Sequence, residues 1–344
     1  MASNEFDELG RNLAKFLSER VGGPVELGEL KRYPVGFSWL TFGFDASWDE
    51  AGRRVDRNLI LRMGPRYGVL APYLAHDQFI ALKALEGSGV PIPKVYWYCD
   101  DPAVLGLVFF IMERVEGEAA LPWTEAGGTG AFDEKVRPQL AEQFVGGLAA
   151  LHNFAWQGTP AAELHGAAPL DEVGTRQILW WEEYLHVRQL TSYPVLEYAM
   201  LWLKAHAPRA PRVSIVHGDY RIGNFLVHEG RITAMLDWEL VHLGDPIEDL
   251  GWMCMRPWSG RSPLMCHLIS RDDLYRRYGE LTGIRVDPEA VRFYEIFGNF
   301  KLAAIHVGSE RSFEDGSQDL RMATMSFQTP RMLLQLERAL EGEL

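Results

Sequence analysis

The chain is poor in cysteine: Cys99, Cys254 and Cys266 are the only three among 344 residues, and no two form a C-x-x-C pair. That spacing excludes a disulfide framework and argues against zinc-ribbon and thioredoxin-type chemistry. Long hydrophobic runs are also missing. The longest, Leu105 to Met112, suits one buried strand and is far too short to span a bilayer. Basic residues are outnumbered, with 34 Lys and Arg against 47 Asp and Glu, giving a formal charge of −13. A nucleic-acid partner needs a basic footprint, so none is expected. No basic segment followed by an apolar core opens the chain, so no signal peptide is read, no membrane partner is expected and the expected location is the cytoplasm. Nor is there a G-x-G-x-x-G: Gly127-Gly128-Thr129-Gly130 has no strand running into it and reads as a plain loop.

What is present is a large potential core. Hydrophobic residues make up 47% and aromatics 12%, ample for a packed interior. The length fits two lobes. Helical spacing over Glu5 to Val21 ends at Gly22-Gly23-Pro24, and strand patterns follow at Val25 to Leu30, Phe37 to Phe44 and Leu59 to Met63. A helix is expected over Ala75 to Leu85, then strands over Val95 to Cys99 and Leu105 to Met112. Beyond Gly117 helical patterns dominate: Val136 to Phe154, Thr175 to Arg188, Val195 to Ala205, Leu264 to His267, Asp272 to Leu281, Pro288 to Val307 and Thr329 to Leu340.

One stretch interrupts those helices. A β-rich run, Arg212 to Val216, enters His217-Gly218-Asp219-Tyr220-Arg221-Ile222-Gly223-Asn224. Two strands follow, Phe225 to His228 and Ile232 to Leu236, joined by a Glu229-Gly230 turn, and Asp237 closes the second. A hairpin folded at Glu229-Gly230 brings Asn224 and Asp237 together at its open end. An amide oxygen and a carboxylate there suit a hard cation such as magnesium, with phosphate oxygens and water completing its shell. Asp219 lies in the preceding loop, free to face a hydroxyl. The pattern H-G-D-x-x-x-x-N followed by Asp is the layout of a kinase catalytic loop. A lone His-Gly-Asp would read as turn chemistry; the full set is much more restrictive.

With these residues in view, the chain resembles the aminoglycoside phosphotransferase family, small-molecule kinases that also resemble choline kinase and, distantly, protein kinases. Ala149-Ala150-Leu151-His152 and Gly244-Asp245-Pro246-Ile247-Glu248-Asp249-Leu250 look like the family's flanking segments. Asn58 to Arg62 and Phe297 to Ala303 resemble the branch fused to acyl-CoA dehydrogenases in larger proteins. The resemblance implies an α+β, bilobal protein kinase-like fold with a mostly β N-lobe and a helical C-lobe carrying the catalytic hairpin. The expected division is residues 1–112, a hinge over 113–117, and 118–344.

The same resemblance implies ATP or another nucleoside triphosphate, Mg2+, and a small-molecule hydroxyl as acceptor. Asp219 would be the catalytic base, with Asn224 and Asp237 on the metal. Glu113 C=O and Val115 N–H would face the base of the nucleotide. Ser38, in Tyr33-Pro34-Val35-Gly36-Phe37-Ser38, would lie in the phosphate-covering loop, although that loop has one glycine. Arg62 stands where a kinase carries its phosphate-pairing Lys, and Gln78 or Asp77 where a helix presents Glu; Arg keeps the charge but changes the geometry. Acceptor contacts are sought among Glu239, His242, Asp245, Asp249, Trp252 and Trp258, and in the cluster Trp180, Trp181, Glu183 and Tyr184. Packing and helix capping are the competing roles for these residues. His152 and His217 are expected to be structural. The weak phosphate loop leaves a rival reading: a nucleotide-binding pseudokinase that serves as a binding module.

Overall fold

The computed structural model describes residues 3–33, 38–121 and 133–343. The expected Gly127-Gly128-Thr129-Gly130 loop, and Pro34 to Phe37 of the phosphate-covering segment, lie outside them. In chain order the first part contains α1 (Ser3–Val21), β1 (Val25–Leu27), β2 (Lys31–Tyr33), β3 (Leu40–Glu50), β4 (Arg53–Met63), α2 (Ala75–Leu85), β5 (Val95–Cys99), α3 (Pro102–Leu105) and β6 (Phe109–Glu113). The strands form one antiparallel sheet in the order β1-β3-β4-β6-β5, with β2 also on β3.

Side-chain alternation gives this sheet two buried faces. Leu59, Leu61, Phe109 and Ile111 join Phe42 and Phe44 in a core under Leu9, Leu13, Phe16 and Leu17 of α1. Ile60, Phe110 and Met112 face the other way, into the core shared with α2 and the helical part. Arg62 has the parity of Ile60, so β4 delivers its guanidinium to the inner face.

After Glu113 the chain leaves the sheet, and β7 (Glu118–Ala119) pairs with the catalytic hairpin instead. Gly117 makes that passage. Its φ is +140°, and a Cβ there would meet Thr233 Oγ1 at 2.9 Å and Leu226 Cβ at 3.0 Å, so only glycine fits without displacing the hairpin. The remainder contains α4 (Arg137–Asn153), α5 (Val173–Arg188), α6 (Pro194–His206), β8 (Ser214–Val216), β9 (Phe225–His228), β10 (Arg231–Met235), β11 (His242–Gly244), α7 (Ile247–Cys254), α8 (Arg256–Ser259), α9 (Arg271–Thr282), α10 (Pro288–Glu314), α11 (Leu320–Ser326) and α12 (Thr329–Glu341). This is the mixed architecture expected: an antiparallel N-lobe and a helical C-lobe. Among the described residues, no helix is long and apolar enough to cross a membrane.

Several element expectations are corrected. The strand sought over Phe37 to Phe44 runs on to Glu50 and pairs with an equally long β4, whose outer half is polar. Arg54 on that half donates to Glu26 of β1 at 2.8 Å and to Ser47 Oγ of β3 at 2.7 Å, so polar contacts between strands replace apolar burial there. Leu105 to Met112 is not one strand, because Asp101 caps a short Pro102–Leu105 helix first, its carboxylate accepting from Ala103 N–H at 2.9 Å. Leu264 to His267 is not helical. Cys266 and His267 have φ of 49° and 61°, and Met265 bridges to Ile269; such φ values do not fit a right-handed helix.

Candidate active site

β8 delivers His217-Gly218-Asp219 to the cleft between the lobes, and a buried carboxylate fixes its path. Asp249, fully buried on α7, accepts the backbone N–H of His217 at 2.8 Å through Oδ2 and that of Gly218 at 2.9 Å through Oδ1. Behind it, His152 Nε2 lies 3.1 Å from Asp249, and His152 Nδ1 lies 2.7 Å from the Tyr278 hydroxyl. Burial works to raise the Asp249 carboxyl, but the hydrogen bond and charge of His152, together with His217, outweigh it and hold the pKa below its ordinary value. Gly218 has φ +81°, and a Cβ there would sit 2.5 Å from Leu240 O. His217 accepts Asp219 N–H through Nδ1 and donates from Nε2 to Leu236 O, a neutral tautomer that fits its burial-lowered pKa. His152, His217 and Asp249 thus shape the loop. Asp245 accepts Ile247 N–H at the start of α7 and the Tyr294 hydroxyl at 3.0 Å.

The Asp219 carboxylate is held from three sides. Oδ1 accepts Trp252 Nε1–H at 2.7 Å and Arg221 Nε–H at 2.9 Å, while Oδ2 accepts Asn224 Nδ2–H at 2.5 Å. The Arg221 guanidinium stacks on Trp258, 4.5 Å from the ring centroid. Trp252, sought as an acceptor contact, therefore aims Asp219.

The hairpin has the expected Glu229-Gly230 turn, with φ of 47° and 73°. At its open end Leu236 N–H donates to Asn224 O at 2.7 Å, which sets Asp237 one residue beyond Asn224's partner. Asp237 adopts a left-handed conformation, φ 60° and ψ 58°. Its Oδ1 accepts Arg62 Nη1–H at 2.8 Å. Burial would raise the Asp237 carboxyl, but Arg62, with Arg221 and His217, holds it below its ordinary value. Arg62, expected on phosphate, is 7% exposed and pairs with this carboxylate. Gln78 is buried on α2, and Asp77 is near His76. Asn224 Oδ1 and Asp237 Oδ2 take no hydrogen bond from the described residues, so an amide oxygen and a carboxylate oxygen are left on neighbouring ends of one hairpin.

A cleft of about 480 Å³ joins Asp219, Asp237 and Arg62 to the segment that follows β6. Glu113, Val115 and Gly117 line it, as do Ser38, Arg62, Asp219 and Asp237. Glu113 N–H is used by Lys94 O at 2.8 Å, and Arg114 N–H by Asn58 O at 2.9 Å. Glu239 also lines the cleft, and its buried Oε2 has no hydrogen-bond partner. Burial, reinforced by Asp237 and Asp219, pushes its carboxyl up to about 7 against a hydrogen bond from Ser38.

Sequence reasoning missed a buried ion pair beneath the loop. Lys301 on α10, 1% exposed, donates to Glu248 Oε1 at 2.7 Å and approaches Gly218 O at 3.4 Å. Its ammonium also lies 4.6 Å from the Trp252 ring centroid. Burial would raise Glu248, but Lys301 and His242 bring it down to about 2. The available signal was a lone Lys inside the apolar run Phe300-Lys301-Leu302. Arg221 was missed because it stands at a variable position of the motif.

Comparison with known proteins identifies the family and the fold. The model of a family described as phosphotransferase enzyme family matches residues 44–294. Mouse acyl-CoA dehydrogenase family member 10 is 29% identical over 321 residues, covering 88% of this chain but only 28% of the mouse protein. The chain thus corresponds to less than a third of that relative. A putative aminoglycoside phosphotransferase from Ralstonia eutropha superposes with a TM-score of 0.68 at 25% identity, covering 96% of this chain and 98% of its own. A thermostable mutant aminoglycoside phosphotransferase, in ternary complex with AMP-PNP and hygromycin B, shares the fold with a TM-score of 0.57 at 20% identity, over 94% of this chain and 98% of its own.

Proposed function

The chain belongs to the phosphotransferase enzyme family, and from that premise we propose that it moves the γ-phosphoryl group of ATP, or of another nucleoside triphosphate, to a hydroxyl of a small molecule. The observation that supports this reading is that Asn224 bonds Asp219, that Asp237 follows the residue paired with Asn224, and that Asp219 and Asp237 line one cleft with Glu113, Val115 and Gly117. In this reading residues 1–112 hold the nucleotide and residues 118–344 hold the acceptor.

The unpaired oxygens of Asn224 and Asp237 fit magnesium, which keeps several waters and needs only one or two protein carboxylates when substrate phosphates share it. Bound there, the ion would neutralise charge on the β- and γ-phosphates. The chain's own groups do the rest. Asp219, with its carboxylate fixed by Trp252, Arg221 and Asn224, orients the acceptor hydroxyl and takes its proton as the new O–P bond forms and the bridge to the β-phosphate breaks. Arg62 on β4 is placed to exchange Asp237 for a phosphate oxygen. The hinge backbone at Glu113 and Val115 offers an acceptor and a donor to the base, and Ser38 offers a hydroxyl beside the phosphates. Positioning and charge stabilisation supply most of the acceleration.

The test is a hydroxyl-compound library incubated with magnesium and ATP, read by mass for addition of one phosphoryl group. Transfer to any member supports the reading. Nucleotide binding without transfer would favour a pseudokinase.

A further inference from the structure

We propose that the acceptor end of the cleft takes an uncharged alcohol with a largely apolar body, not a polyamine. The proposal rests on the phosphotransferase reading and adds the substrate class.

The wall beyond Asp219 is built by helices of the C-lobe and one loop of the N-lobe. Leu70, Trp252, Trp258, Leu302, Ile305 and Met325 line it. None carries a charge, and only the two indoles carry a polar atom. Trp252 spends its N–H on Asp219. A polycationic acceptor needs several carboxylates free to receive ammonium groups, because each buried charge left unpaired is costly. The described carboxylates on the cleft are Glu113, Asp219, Asp237 and Glu239. Glu113 belongs to the hinge at the nucleotide end. Asp219 already accepts from Trp252, Arg221 and Asn224, and Asp237 from Arg62. Glu239 follows Asp237 by two residues, and its buried Oε2 has no hydrogen-bond partner, so it could receive a single ammonium but not the several of a polyamine.

Arg221 donates to Asp219 at 2.9 Å and its guanidinium stacks on Trp258, so the carboxylate that faces the acceptor hydroxyl already has its own cation. An apolar body gains from every methylene placed against these indole and aliphatic side chains.

The experiment has two independent readouts on the full chain. Calorimetric titration follows binding of straight-chain primary alcohols from butanol to decanol, and separately of hygromycin B and kanamycin. Magnesium-ATP turnover is measured on the same compounds. Alcohol affinity that rises about threefold to fourfold per added methylene supports the proposal. Affinity without chain-length dependence, or tighter binding of the aminoglycosides, overturns it. Leu302→Glu and, on a different helix, Met325→Glu should each flatten the chain-length dependence. If both fold and leave it unchanged, the proposal is overturned. Absence of turnover with every compound would count against the phosphotransferase reading alone, since the binding series is read without it.

Discussion

Arg62 Nη1 donates to Asp237 Oδ1 across 2.8 Å, tying β4 of the N-lobe to the end of the catalytic hairpin. The two residues are 175 positions apart in sequence, so the bond is a direct brace between the lobes. It keeps the carboxylate charged by giving it an internal cation. It also means that Arg62 must let go of Asp237, at least in part, to engage a phosphate.

The first prediction follows from that exchange. Arg62→Ala should weaken ATP by about one to two decades while leaving adenosine nearly unaffected, since a charged hydrogen bond is worth roughly 1.5–3 kcal/mol. Arg62→Lys should recover part of the loss, because the charge returns without the planar fork. Calorimetric titration of both ligands checks it. Equal losses for ATP and adenosine would show a disturbed N-lobe instead.

The buried pair beneath the loop gives a stability prediction. Lys301→Met leaves Glu248 as an uncompensated buried charge and should cost about 3–5 kcal/mol in urea unfolding. Adding Glu248→Gln to that variant should restore much of the loss. Glu248 is held at about 2 against 4.5 unfolded. Its contribution is therefore present above about pH 4.5 and lost as the pH falls through about 2. A Lys301→Met protein as stable as wild type at pH 7 would contradict the role given to the pair.

Asp245 acts in the opposite sense. Burial, opposed by the bonds from Ile247 N–H and Tyr294, pushes its carboxyl up to about 7 from 3.8. The unfolded chain then ionises first, so relative stability is full below about pH 3.8 and declines as the pH rises to about 7. Asp245→Asn keeps an acceptor for Ile247 N–H and cannot ionise. The variant should gain on wild type between pH 5 and pH 8 by on the order of 2 kcal/mol, at roughly 1.4 kcal/mol per unit. Parallel pH dependence of the two proteins in urea would count against it.

The placement of Asn224 and Asp237 was legible in the sequence because it depends on local rules: a Glu229-Gly230 turn, two short β-rich runs and their register. The helical C-lobe was legible through apolar periodicity, as over Arg137–Asn153. What escaped depends on contacts between distant segments. The polar half of β4 is tied by Arg54 to Glu26 of β1 and Ser47 of β3, contacts that apolar periodicity cannot detect. The partner of Arg62 is set by the approach of the lobes, so nothing in the sequence around β4 points to Asp237. Trp252 was read as packing or acceptor contact because nothing in its local sequence shows that its N–H reaches Asp219. Lys301 broke an apolar helical face and carried a signal that only its partner Glu248, on α7, explains.

Asp219 handles the acceptor proton in the proposed phosphoryl transfer. The most direct measurement is the rate of phosphorylated-product formation by Asp219→Asn, using an acceptor found by the mass screen, alongside its magnesium-ATP affinity. Turnover should fall by at least about 10²–10⁴-fold, while nucleotide affinity falls far less, because Asp237 and the backbone at Glu113 and Val115 are untouched. Wild-type turnover in that variant, with the same acceptor and the same product, would contradict that role for Asp219.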